Sequence, residues 1–373
     1  MTNPFVLTQY ISPAYFCDRE AETARLLTNI ENGRNTVVYS LRRLGKTQLV
    51  QHLFHKLREK REVLPVYFDI FHTRDLDQFT LAFADAVFRS LSTDSTSMLE
   101  KATKILSNLR VTLSIDPFTG SPTLQLDIKS PRESEITLRR IFEHISAQKQ
   151  QVIVAIDEFQ QVAGYPGGSA EAMLRSFMAG CPNIRFIFLG SVKHLLVSMF
   201  ASESSPFYQS AEMMKLGKIE TEVYTRFVRR LFREKGSEIP EEITSEIIKW
   251  CRNHTYFVQR FFNKLYTIPG ETVGEDEVKT VLRELLLENE PVFNDYRRFY
   301  TRFQWDLLSA IARENGAKNI YSSAFISKYG LGSASSIRTA MQSLLKRDSI
   351  HEEGGKIFVT DVFFSRWLEY RGR

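Results

Sequence analysis

The chain has 373 residues, 43% hydrophobic and 25% charged, which fits a folded globular protein of two or three domains and excludes a disordered or fibrous one. Met1 to Tyr10 lacks the basic start and apolar core of a signal peptide, and no apolar run approaches the roughly 20 residues of a bilayer span, so a cytoplasmic location is expected. The net charge of +5 is too mild to require a nucleic acid, and the widely spaced Cys17, Cys181 and Cys251 indicate neither disulfides nor a thiolate metal site.

The first predicted strand is Thr36–Tyr39. It runs into Ser40-Leu41-Arg42-Arg43-Leu44-Gly45-Lys46-Thr47, which opens an amphipathic helix predicted over Gln48–Lys60. This segment departs from G-x-x-x-x-G-K-[ST] only at Ser40. A loop at a helix N-terminus aims backbone N–H groups and the positive end of the helix dipole at a phosphate, and Gly45 allows close approach. The Lys46 ammonium suits β and γ oxygens, and the Thr47 hydroxyl suits magnesium. Contacts to ATP or ADP are expected from Ser40 through Gln48. Ser40 bears a Cβ, so binding weakens if the first position demands a left-handed backbone.

Val63–Ile70 reads as a second strand, and Val111–Ile128 as an inserted hairpin turning at Asp116-Pro117-Phe118-Thr119-Gly120-Ser121-Pro122. A further apolar strand, Val152–Ile156, ends in Asp157-Glu158. An acid at the end of a strand beside a phosphate loop can hold magnesium, and the next carboxylate can polarise the attacking water. Asp157 is therefore the metal candidate and Glu158 the base candidate. Strand Ile184–Leu189 leads to Gly190-Ser191, whose hydroxyl can meet the lytic water or γ-phosphate if this strand lies between the other two. Short β-branched runs alternating with amphipathic stretches indicate an α/β domain with a parallel sheet over 1–219.

Beyond Ile219 the pattern is helical, with helices predicted at Glu222–Lys235, Glu241–Arg252, Tyr256–Tyr266 and Glu275–Leu287, a small domain over 220–290. The polar Glu288-Asn289-Glu290-Pro291 then leads to Tyr296-Arg297-Arg298-Phe299-Tyr300, read as an amphipathic connecting helix with solvated arginines. The rest of 291–373 gives helices Gln304–Arg313, Ser322–Tyr329 and Ala334–Arg347, a Ser333 N-cap, and two short strands around Glu352-Glu353-Gly354-Gly355, the order of a winged helix-turn-helix. From Thr301 onward, eleven Lys or Arg stand against seven Asp or Glu, so most of the positive excess lies here. In the third helix Ile337, Met341, Leu344 and Leu345 fall at core spacing, while Arg338, Gln342 and Lys346 form an opposite face suited to duplex DNA. The acidic wing and the use of winged helices as docking modules keep a protein partner equally open.

Together these motifs resemble the archaeal-type P-loop ATPase family, part of the STAND group and a relative of AAA+ proteins and the Orc/Cdc6 initiators. The resemblance implies a sheet of order 5-1-4-3-2, a helical lid, a C-terminal winged helix closing at Asp361–Leu368, and an ATP-dependent molecular switch. Phe16-Cys17-Asp18-Arg19-Glu20 is similar to the family's F-x-x-R-E element, whose neighbourhood packs on adenine, so Phe16 and Arg19 join the expected nucleotide contacts. The lid contact is placed at His254, in Asn253-His254-Thr255-Tyr256-Phe257, which lacks the family's usual proline. Leu41 also stands where proline is usual. Lys46, Glu158 and Ser191 would carry catalysis, and Thr47 and Asp157 the magnesium. Arg175 and Arg185 are candidates for fingers across a homo-oligomer interface, with surface salt bridges as the plainer role. A nucleotide-gated scaffold with negligible hydrolysis remains the alternative.

Overall fold

The computed structural model describes residues 3–59, 63–107, 109–117, 120–191 and 193–371. Its strands in the first part of the chain are β1 (Thr36–Tyr39), β2 (Val63–Asp69), β3 (Val111–Ile115), β4 (Pro122–Leu126), β5 (Gln151–Asp157), β6 (Ile184–Gly190) and β7 (Glu212–Lys215). Five of them form one parallel sheet ordered β7-β1-β6-β5-β2, which is the expected 5-1-4-3-2 when the hairpin β3–β4 is set aside. Pro65 lies in β2, an edge strand, where a missing N–H is tolerated. The edge strand β7, Glu212-Met213-Met214-Lys215, has no β-branched residue and is a strand because it pairs with β1. The hairpin turn's Phe118 and Thr119, and Lys60 at the end of a predicted helix, lie outside the described residues.

Residue contacts divide the chain into two units, Arg19–Gly217 and Met1–Asp18 with Lys218–Arg373. In the first, buried phenylalanines make the core: Phe68, Phe79 and Phe83 pack together, and Phe159, Phe188, Phe200 and Phe207 form a second group of touching rings. The hairpin is fastened to helix Leu76–Leu91 by the Leu124 N–H, which donates to Asp85 Oδ1 at 2.8 Å.

The second unit holds helices Thr221–Lys235, Glu241–Trp250, Thr255–Thr267 and Glu275–Tyr296, then the winged helix. Helix Glu275–Tyr296 does not stop at Leu287 as the polar, proline-bearing stretch predicts. An interior proline costs a helix about 3 kcal/mol. Phe293, 2% exposed, offsets this by packing on Phe364 and Trp367, and full burial of such a side chain is worth about 1.5–3 kcal/mol before ring contacts. Arg297 and Arg298 follow the helix end in an exposed turn.

The winged helix comprises helices Arg302–Arg313, Ser323–Tyr329 and Ala334–Lys346, strands β8 (Ile350–Glu353) and β9 (Lys356–Val359), and helix Val362–Arg371. Ser333 caps the third helix by accepting from the Ser336 N–H. Ile337, Met341 and Leu344 are buried, but Leu345 is 42% exposed: following Leu344 directly, it turns off the buried stripe. No helix among the described residues is long and apolar enough to cross a membrane.

Candidate nucleotide site

The parallel sheet places the C-terminal ends of β1, β5 and β6 side by side, with β6 between the other two. Residues 40–45 leave β1 and turn into helix Lys46–Glu59, the arrangement that aims N–H groups at an anion. Gly45 has a φ of +94°, a conformation that penalises any Cβ, and Arg43 is left-handed at +62°. Ser40 is not in the left-handed region, so its Cβ is tolerated and the first position does not need glycine.

Lys46 is buried, its Nζ 3.2 Å from Ser40 Oγ and 3.5 Å from the Leu41 carbonyl oxygen. Burial pushes its pKa down; Asp157 and Glu158 oppose this, and Arg42 adds to it. The ammonium is thus a partly desolvated cation beside the backbone donors of the loop, which strengthens its attraction for an anion. Thr47 Oγ1 donates to Asp157 Oδ2 at 2.6 Å. A hydroxyl and a carboxylate this close are the hard oxygen donors that magnesium takes along with phosphate oxygens, so the donor set fits that ion. No group of three or more His, Cys, Asp or Glu that could hold a metal occurs among the described residues.

Glu158 follows Asp157 with φ +54°, and Ser191 Oγ lies 3.0 and 2.9 Å from its Oε1 and Oε2. The Arg42 Nε–H donates to Ser191 Oγ at 3.3 Å, joining the loop to the end of β6. Lys46 with Ser40, Thr47 with Asp157, and Arg42 with Ser191 and Glu158 thus form three hydrogen-bonded groups at the same ends of the strands, and the Asp157 and Glu158 charges act on Lys46 across them. Arg19 is 4% exposed and left-handed at φ +76°; its Nη1 pairs with Glu22 at 2.8 Å, and its Nη2 donates to the Gly217 and Leu44 carbonyls at 2.8 and 3.4 Å. Its guanidinium braces the loop from behind. Phe16 and His254 belong to the other unit, Phe16 half-buried against Tyr10 and His254 buried against Phe257. Arg185 lies near the start of β6, at the N-terminal ends of the strands and away from the loop, and donates to the Pro182 and Ile184 carbonyls. In the winged helix Arg338, Gln342 and Lys346 are all exposed on one helix.

Two site residues escape sequence reasoning. Tyr67, on β2 beside Ala155, donates its hydroxyl to Asp157 Oδ2 at 3.0 Å. Burial first, then the Asp157 charge, raise its pKa, so it stays a neutral donor. Gln160, 5% exposed, donates its amide to Glu158 Oε2. Only strand register, two residues before the acid-bearing pair Asp69–Asp157, hints at Tyr67.

The family model described as an ATPase domain predominantly from Archaea matches residues 16–253, well over half of the chain, and the chain belongs to that family. A second model, described as a probable winged helix domain, matches residues 291–370. Similar solved structures include a Walker-type ATPase of Pyrococcus abyssi, 20% identical over 98% of this chain and 99% of that one, with a TM-score of 0.65. The ORC2 protein of Aeropyrum pernix is 13% identical over 99% and 98%, TM-score 0.56. The ORC1 protein of the same organism, solved in complex with DNA, is 14% identical over 96% and 94%, TM-score 0.51. A search of curated proteins found no match.

Proposed function

We propose that the chain binds ATP on the loop Ser40–Thr47, hydrolyses it, and uses the bound nucleotide to set the state of the unit that carries the winged helix. The observation that carries this reading is the meeting of Thr47 and Asp157 at 2.6 Å beside the buried Lys46, which puts cation, hydroxyl and carboxylate at one helix N-terminus. Backbone N–H groups and Lys46 hold the phosphates. A magnesium ion, when bound to Thr47 and Asp157, supplies charge neutralisation for the leaving oxygens. Glu158 takes the proton of the attacking water, and Ser191 holds Glu158 in place. Tyr67 keeps the Asp157 carboxylate oriented. Titration calorimetry of parent and Lys46→Ala with ATP and ADP tests the site: unchanged affinity in the variant rejects it.

For the winged helix we infer duplex DNA as the partner, read by Arg338, Gln342 and Lys346. Their exposure on one face, the positive excess of the segment, and the solved DNA complex of a protein of similar fold support this. Docking of a protein instead is favoured by the wing, where Glu352 is exposed and Glu353 is paired with Lys218. Anisotropy titrations with labelled duplex at two salt concentrations separate the two.

A further inference from the structure

The Glu158 carboxylate is held asymmetrically. Oε2 receives the Gln160 amide, the Ser191 N–H at 3.4 Å and the Ser191 hydroxyl at 2.9 Å, whereas the only donor near Oε1 among the described residues is that same hydroxyl at 3.0 Å. A hydroxyl has one proton, so Oε1 keeps lone pairs with which to accept from water. Gln160 reaches this position from a turn anchored by Phe159, which is fully buried with its ring centroid 4.5 Å from that of Phe188 and 5.2 Å from that of Phe207. The amide is admitted by Gly190, because a Cβ there would overlap Gln160 Oε1 and crowd Leu196. That Oε1 is buried and accepts no hydrogen bond from any described residue. Leaving one end of a buried amide unsatisfied is destabilising. Its other half, the donor to Glu158, is the function that retains it.

We propose that Gln160 is a positioning residue for hydrolysis: it fixes Oε2 of Glu158 so that Oε1 faces the water, and Gly190 is the space that lets it do so. The proposal rests on the reading of Glu158 as the base. Gln160 touches neither nucleotide nor water in this scheme and acts through Glu158 alone.

The test is single-turnover ATP hydrolysis, with ATP affinity by calorimetry and thermal unfolding as companions, for Gln160→Met, Gly190→Ala, both together, Glu158→Gln, and Gln160→Met combined with Glu158→Gln. Losing a hydrogen bond to a charged group should lower the rate roughly tenfold to a hundredfold in Gln160→Met with ATP affinity unchanged. Gly190→Ala should dislodge the same amide, so the double variant is no slower than the slower single one. In the Glu158→Gln background Gln160→Met should have no further effect. If Gln160→Met hydrolyses at the parental rate while Glu158→Gln is slowed, the role of Gln160 is overturned and the base stands. If Gln160→Met slows Glu158→Gln by the same factor as the parent, its role is structural and the proposal falls. A parental rate in Glu158→Gln removes the base itself, and this inference with it. Should Gly190→Ala fail to fold, the Gln160→Met pair in the two backgrounds decides alone.

Discussion

Replacing Lys46 by methionine keeps the length and most of the volume of the side chain while removing its charge, which makes it a sharper probe than truncation. The Lys46 ammonium lies 3.2 Å from Ser40 Oγ and 3.5 Å from the Leu41 carbonyl. To meet a phosphate it gives up these two bonds, worth about 1 kcal/mol each at most, and gains two charge-assisted bonds of about 1.5–3 kcal/mol each. The net contribution is therefore about 1–4 kcal/mol, a loss of roughly fivefold to a thousandfold in affinity for ATP. ADP, with no γ-phosphate for the ammonium, should lose less. Burial already lowers the Lys46 pKa, so its charge is held at a cost in the free protein. Folding thus favours the neutral amine, and stability from this residue rises with pH toward its ordinary 10.5, a dependence that Lys46→Met should abolish. Calorimetry with both nucleotides, paired with urea unfolding at neutral and alkaline pH, reads both effects. A variant that binds ATP within threefold of the parent refutes the assignment of Lys46.

Glu158→Gln should retain ATP affinity while slowing hydrolysis by orders of magnitude, whereas Asp157→Asn should chiefly weaken the magnesium-dependent part of binding; calorimetry with and without the ion, beside a rate assay, distinguishes them. Tyr67→Phe removes one donor from Asp157 and should reduce magnesium-dependent affinity by about a factor of five, near 1 kcal/mol; equal affinity in the presence of the ion would count against an orienting role. His351, depressed to about 4 by burial and then by Lys218, faces Arg252 and Glu353 as well. Its folded pKa lies below the ordinary 6.5, so the unfolded chain takes up the extra proton and stability falls as pH drops from about 6.5 to about 4. In His351→Phe that part of the fall should disappear from urea midpoints compared at pH 7 and 5. Reversing charge at both Arg338 and Lys346 should weaken duplex binding on all sequences and flatten the salt slope by about two units, one per cation; anisotropy matching the parent would favour a protein-docking role.

Much of this molecule is written locally. Strands β1, β5 and β6 announce themselves by β-branched and apolar runs, and the loop between β1 and its helix by Gly45-Lys46-Thr47. What is not local was not legible. β7 is a strand only through its neighbour β1, and the helix crossing Pro291 persists because Phe293 finds Phe364 and Trp367, 71 and 74 positions away. The same holds for the site. Acids at strand ends could be singled out, but Tyr67 and Gln160 are ordinary residues in sequence. They matter through sheet register and through the gap at Gly190, neither of which has a local signature.

Arg19 gives one further consequence. It is the first residue of the unit Arg19–Gly217, Gly217 is the last, and the chain leaves for the other unit through these two points only. One buried guanidinium holds the Gly217 carbonyl and reaches the Leu44 carbonyl inside the phosphate loop, while its own backbone and that of Asp18 are both left-handed. The loop and both ends of this unit are thus tied by a single knot. Loss of that guanidinium should therefore loosen the loop and both ends of the unit together rather than one of them alone.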